Sequence, residues 1–317
     1  MQHVLSATVP VFLVVALGYV LTRSGMFRRE DAAVLSRFVV KVALPLLIFA
    51  NIAGRSPGEV FHAVYLLTYA IAALVMFGLA AAYARARGRS RLRAIFMGTG
   101  MAGTANGFIG FPIFLILFAE RAGAAVGMGM IVDNVLIIPL TLLLAEQATG
   151  TGTVRDRLVA TLRGVVLHPM VIAIVAALAL STAGIDLPTT LDRGVDLLAG
   201  ASTGVALFAV GGMFVGLRVR GAVGDIATTV VGKLAVMPAI AVGLILLLDA
   251  AGLPPLPAEL RAAAVLMCAL PTYSVLPALG EGYGESDVPT ASMMLQTACS
   301  FLTLSGWMLG LRAMGWL

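Results

Sequence analysis

The ten residues GTANGFIGFP, Gly103 to Pro112, interrupt an apolar segment that begins at Ala94 and ends near Phe118. A proline in a helix interior costs about 3 kcal/mol, because it removes a backbone donor and collides with the preceding turn. Each glycine costs nearly 1 kcal/mol more. The flanks are nevertheless long enough, together, to cross a bilayer. Lipid offers no partner to a freed backbone group, so a broken helix survives there only where it is buried in protein or lines a wet cavity. A break at mid-depth therefore marks a candidate binding site. A proline kink satisfied by neighbouring helices is the plainer alternative.

The composition sets the class. The chain has 317 residues, of which 60% are hydrophobic and 12% charged, with a mean hydropathy of +1.01. A soluble domain carries about twice that charged fraction. Apolar runs near the length of a span recur from end to end, which predicts an all-α polytopic membrane protein. Ten spans are expected, near 4–22, 35–53, 62–83, 94–118, 124–148, 166–182, 196–217, 226–248, 260–281 and 288–311. The first lacks a basic leading region and reads as a span, not a cleaved signal. Cys268 and Cys299 both lie in apolar segments and read as packing residues.

Charge placement gives an orientation. The odd-numbered connections carry most arginines: Arg23, Arg28 and Arg29, then Arg85 to Arg93, then Arg155, Arg157 and Arg163, then Arg218 and Arg220. The even ones hold about one each. The positive-inside rule then places the odd connections in the cytoplasm and both termini outside the plasma (bacterial inner) membrane. The net charge of +5 is thus a topology signal, not a nucleic-acid patch.

Three landmark pairs share one offset: Pro10 and Pro169, Phe49 and Phe208, and Pro112 and Pro271 are each 159 residues apart. Half the chain length as a common offset predicts two five-helix repeats, residues 1–150 and 160–317. Five is odd, so the second repeat is inverted relative to the first. Inverted repeats with paired broken helices, here helices 4 and 9, point to a secondary transporter with its site where the breaks meet.

The second break lies in CALPTYSVLPALGEGYG, Cys268 to Gly284, where Pro271 and Pro277 bracket Thr272, Tyr273 and Ser274. Half-helix N-termini favour anions and half-helix C-termini favour cations, so a crossing of two breaks suits a carboxylate and a coupling cation. Substrate-binding candidates are Asn106, Gly107, Pro112, Pro271, Thr272 and Ser274. Thr and Ser also back-bond within their own helices, which is the plainer role for them. Asp133 stands mid-span in helix 5, where a charge costs roughly 2.5–3.5 kcal/mol. It is expected to take up a proton, to help hold a cation, or to pair with Lys233 of helix 8. Asn134, Thr104, Gln296 and Lys233 complete the coupling-ion or proton candidates. Lys41 reads as a snorkelling anchor. His3, His62 and His168 form no ligand cluster, so neither a metal nor a cofactor is expected.

Longer motifs carry a family likeness. PVFLVVALGYVLTRSGMF from Pro10, LSRFVVKVALPLLIF from Leu35, NGFIGFP from Asn106, and the pairing of Leu270–Pro271 with Gly282–Gly284 resemble the auxin efflux carrier family, whose bacterial members include malate and malonate permeases. The resemblance implies the fold of bile-acid symporters and sodium/proton antiporters. Helices 1, 2, 6 and 7 would form a scaffold, often homodimeric, and helices 3–5 and 8–10 a mobile transport core. It also implies that Asn106, Pro112 and Pro271 bind a substrate carboxylate. Two positions depart from the pattern: the family asparagine sits one residue earlier, at Ala105, and the second break has no asparagine.

The leading expectation is a carrier of a small organic carboxylate that works by alternating access, with proton, sodium or no coupling ion. A cation/proton antiporter normally uses paired intramembrane carboxylates, whereas Asp133 stands without a second. An intramembrane hydrolase needs a Ser–His pair or two deep aspartates, so no enzyme is expected. A membrane-bound carboxylate sensor is the remaining alternative.

Overall fold

The computed structural model describes residues 2–53, 61–149, 167, 169–185, 187–216, 222–273 and 275–317. Among these, regular structure is entirely helical. We label the helices α1 (Gln2–Arg23), α2 (Arg29–Phe38), α3 (Leu44–Ile52), α4 (Ala63–Ala86), α5 (Arg91–Ala102), α6 (Phe111–Phe118), α7 (Ala122–Val132) and α8 (Ile138–Thr149). They continue with α9 (Pro169–Ala183), α10 (Thr189–Met213), α11 (Val223–Val231), α12 (Met237–Ala250), α13 (Ala258–Ala269), α14 (Leu276–Glu281) and α15 (Asp287–Ala313).

Among the described residues, six helical runs are long and apolar enough to cross a membrane: Arg29–Ala50, Ala63–Ala86, Phe111–Thr149, Thr189–Met213, Val223–Ala250 and Asp287–Ala313. Ten spans were expected from the sequence, and for two of them the difference has a local cause. The fourth and ninth are split into pieces of 12 and 8 residues and of 12 and 6 residues, each shorter than the roughly 20 that span a bilayer. Two further apolar stretches, Phe12–Arg23 within α1 and Val171–Ala183 within α9, complete the apolar helices among the described residues.

Among the described residues, four π-helical turns occupy Val39–Ala43, Asn106–Gly110, Asp133–Ile137 and Gly232–Val236. Each begins six residues ahead of a proline: Pro45, Pro112, Pro139 and Pro238. A proline displaces the carbonyl four residues before it, and that carbonyl lies in the middle of each widened turn. The widening lets the helix continue past the ring, and such turns recur at functional sites. Two of these turns carry the deep charges, Asp133 and Lys233.

The chain forms two compact units. The first comprises Met1–His62, Gly107–Met128 and Val166–Leu217. Within it α1 and α10 lie backbone to backbone. A Cβ on Gly18 would strike the Phe208 carbonyl, and one on Gly211 would strike the Val15 carbonyl. Small residues give membrane helices this close approach, because packing replaces the missing hydrophobic drive. Phe27 closes one end, edge-on to Phe208 with ring centres 5.1 Å apart.

The second unit comprises Ala63–Asn106, Gly129–Val165 and Arg218–Leu317. Its centre is α13, where every residue from Ala262 to Leu270 is fully buried. Phe96 to Ala102 of α5 are similarly enclosed. A helix apolar all round belongs inside protein, so the neighbours of these two helices shield the breaks that follow them. At one end of the unit, buried Asp225 in the first turn of α11 accepts from Arg89 Nε at 3.1 Å, Arg93 Nη1 at 3.3 Å and the Tyr83 hydroxyl at 3.3 Å. Arg93 also pairs with Glu285 at 2.6 Å. This clasp joins α4, the start of α5, α11 and the segment after α14.

Candidate functional site

α5 starts at Ser90, whose hydroxyl accepts from the Arg93 N–H at 3.0 Å, the usual stabilising cap. It ends at Ala102, and Gly103, Thr104 and Ala105 are unwound. α13 likewise ends at Ala269, with Leu270 to Tyr273 unwound. The two unwound stretches meet: the Ala105 N–H donates to the Pro271 carbonyl at 2.8 Å. Glycine is required at 103 by this meeting, because any Cβ there would collide with the Tyr273 ring.

The helix ends leave polar backbone groups in the interior, and Gln296 of α15 collects three of them. Its Oε1 accepts from the Thr272 N–H at 2.8 Å, and its Nε2 donates to the Gly100 carbonyl at 3.0 Å and the Thr229 carbonyl at 3.2 Å. Both amide hydrogens are thereby used, and the side chain is fully buried. Gln296 ties α5, α11 and the second break together.

Beside the first break runs a buried polar chain. Lys233 Nζ donates to Thr104 Oγ1 at 2.8 Å, to the Ala102 carbonyl at 3.2 Å and to Met237 Sδ at 3.2 Å. Three N–H groups thus meet three acceptors, the pattern of an ammonium ion. The Tyr69 hydroxyl lies 2.6 Å from Thr104 Oγ1 and 2.7 Å from Asp133 Oδ1. A carboxylate is the stronger acceptor, so the chain runs Lys233 to Thr104 to Tyr69 to Asp133, each donating to the next. Asn106 Nδ2 donates to the other carboxylate oxygen, Oδ2, at 2.6 Å. Asp133 is 3% exposed and Lys233 is fully enclosed. The two are joined through hydroxyls and, among the described residues, form no direct ion pair.

Several polar atoms near the breaks have no partner. Asn106 Oδ1, Thr272 Oγ1 and the Tyr65 and Tyr273 hydroxyls are buried without a hydrogen bond in the protein. Unsatisfied buried groups cost about 1–3 kcal/mol each, and a cluster of them is what a polar ligand would satisfy.

The predicted residues therefore divide. Thr104, Asn106, Asp133 and Lys233 come together in one network, with Pro271 and Thr272 on the facing break. Gln296 is engaged wholly with backbone. Asn134 donates to the Met130 carbonyl of its own helix at 2.8 Å. Gly107 lies buried in the π turn, and Pro112 sits in the first turn of α6, beyond the unwound residues. Pro271, by contrast, is itself unwound. The 159-residue offset that pairs the two prolines thus does not align the two breaks. Ser274 lies outside the described residues.

Sequence reasoning missed Tyr69. The signal was present in YLLTY, Tyr65 to Tyr69, where two tyrosines four residues apart share one face of an otherwise aliphatic helix.

Residues 3–308 match a family model described as "Membrane transport protein". Among curated relatives, an "Uncharacterized transporter YfdV" of Escherichia coli is 25% identical over 210 residues, 64% of this chain and 66% of that protein. A "Putative malonate transporter" of Rhizobium meliloti is 26% identical over 313 residues, 96% of this chain and 95% of that protein. An "Uncharacterized transporter" of Methanothermobacter thermautotrophicus is 26% identical over 148 residues, 45% of this chain and 48% of that protein.

Proposed function

The chain belongs to this membrane transport protein family, the auxin efflux carrier family that its motifs resemble, and on that premise we propose that it is a secondary carrier of a small organic carboxylate. One observation carries the reading. Two unwound helix segments meet through the Ala105–Pro271 hydrogen bond, beside a buried network that contains both an acid and a base. Broken backbone inside an apolar unit is tolerated where it serves a polar cargo. The unpartnered Asn106, Thr272 and Tyr273 atoms are the groups such a cargo would meet.

In this reading the two breaks are the crossover of helices 4 and 9 in a ten-helix inverted repeat. Helices 3–5 and 8–10 form the moving core, helices 1, 2, 6 and 7 the scaffold, and the scaffold pairs two copies. The core alternates access by an elevator-like movement in the bacterial inner membrane, with both termini extracytoplasmic. The membrane potential contributes about 2.3 kcal/mol per charge per 100 mV, which by itself drives an anion outward. Malonate is the first substrate to try, given the name of the Rhizobium relative.

Purified protein in liposomes is expected to show saturable counterflow of labelled malonate or another short dicarboxylate, and Asn106→Leu is expected to abolish it. Binding without flux for every carboxylate tried would replace the carrier with a sensor.

A further inference from the structure

We infer that Asn106 is the coupling element of this site: its amide presents an acceptor to the cargo while Asp133 is ionised, and a donor once Asp133 has taken up a proton. This rests on the carboxylate reading above.

The observation is the mismatch between Asn106 and its expected ligand. A carboxylate needs donors, yet one Nδ2 hydrogen of Asn106 is held by Asp133 Oδ2 at 2.6 Å. The buried end left over is Oδ1, which has no partner and repels an anion. An incoming carboxylate would also lie beside the Asp133 charge. Lys233 offsets that charge from the far end of the hydroxyl chain, so the empty site is neutral overall. A carboxylate added to it would be an uncompensated buried anion, which is strongly disfavoured.

One proton removes both obstacles. An asparagine amide is nearly symmetric in shape, and a half-turn exchanges Oδ1 and Nδ2. With Asp133 protonated at Oδ2, the new O–H donates to Asn106 Oδ1. A separation of 2.6 Å is as apt for O–H···O as for a charge-assisted N–H···O contact. Both Nδ2 hydrogens then face the cargo. The network keeps the Lys233 charge, so the protonated site is net positive before the anion arrives and offsets its carboxylate charge. The proton comes from water on the side to which the site is open, forms the Oδ2–H bond, and leaves as that bond breaks when the carboxylate departs.

The groups that act on Asp133 are few. Tyr65 and Tyr69 face it from α4, Lys233 from the turn after α11, Cys268 from α13 and Tyr273 from the second break. Thr104 and Tyr69 link Lys233 to the carboxyl without supplying a second negative charge. Asp133 is thus the one carboxylic acid in this set.

The test uses malonate and the full-length protein in liposomes with the membrane potential clamped at zero. One proton per anion predicts about tenfold accumulation per unit of pH gradient. Infrared difference spectra of the malonate-bound against the free wild-type protein should gain a protonated carboxylic acid band, and Asp133→Asn should lack it. Asn at this position mimics the protonated acid, so malonate affinity should fall with rising pH in the wild type and become flat in the variant. Malonate flux that ignores the pH gradient, with no acid band, would overturn the coupling and leave the carrier intact. Neither flux nor binding of malonate or any other short carboxylate would sink the carrier reading and the coupling with it. The wild-type gradient and infrared measurements decide the matter even where the variant fails to fold.

Discussion

The second unit buries two aspartates in contrasting company. Asp225 is clamped by Arg89, Arg93 and Tyr83, with direct charge contacts on both carboxylate oxygens. Asp133 receives one tyrosine hydroxyl and one amide, and its compensating lysine is two hydroxyls away. The first carboxylate has a charged partner on each oxygen. The second sits among buried polar atoms that still lack partners. A fully paired buried charge fixes helices in place, whereas an under-filled one leaves the energy of its last contacts to a ligand or a proton. The difference separates a staple from a candidate site.

Asp225→Ala attacks the staple and should have the largest effect on stability. Removing one partner of a buried pair costs about 3–5 kcal/mol, and the partly exposed arginines put the loss near the lower end. The melting temperature in detergent should drop sharply. If it does not, the clasp is ornamental and the contrast with Asp133 fails.

Gln296→Leu comes next. It strands the Thr272 N–H and two carbonyls at the helix breaks, where even one unsatisfied buried group costs about 1–3 kcal/mol. Melting should fall, and Gln296→Glu should recover only the Thr272 contact. An unaffected melting curve would return Gln296 to the list of possible cargo or ion ligands.

Tyr69→Phe cuts the link between Thr104 and Asp133 while keeping the ring. About 0.5–1.5 kcal/mol of stability should be lost, but counterflow should suffer far more than melting. Equal losses in both would make the network a second staple. The smallest effect belongs to Arg89→Ala. That side chain is 41% exposed, and exposed pairs contribute about 0–1 kcal/mol, so Arg93 alone should hold Asp225. A thermal shift as large as that of Asp225→Ala would show that the clasp works as one unit.

Much of this protein was local enough to read from the chain. Composition and apolar periodicity gave a helical membrane protein, because burial in lipid is a property of each segment by itself. Gly103 and its neighbours announced the first break, and Pro271 the second, since glycine and proline act on their own backbone. A mid-span Asp133 was conspicuous for the same reason. Ten spans were expected, whereas among the described residues six runs are long enough to cross, and the run from Phe111 to Thr149 passes through one proline-linked π turn, Asp133–Ile137.

Only the tertiary structure decided what these residues do to one another. Nothing in the sequence says that Gln296 turns to backbone, that Pro112 lies past the unwound residues, or that Lys233 reaches Asp133 through Thr104 and Tyr69. Nor does it say that Asn106 gives its donor to Asp133 and keeps its acceptor free. Each of these is a choice among partners far apart in the chain, made by geometry when the helices pack. The sequence determines which groups must find a partner in an apolar interior; the packing determines which partner each one finds, and which are left without one.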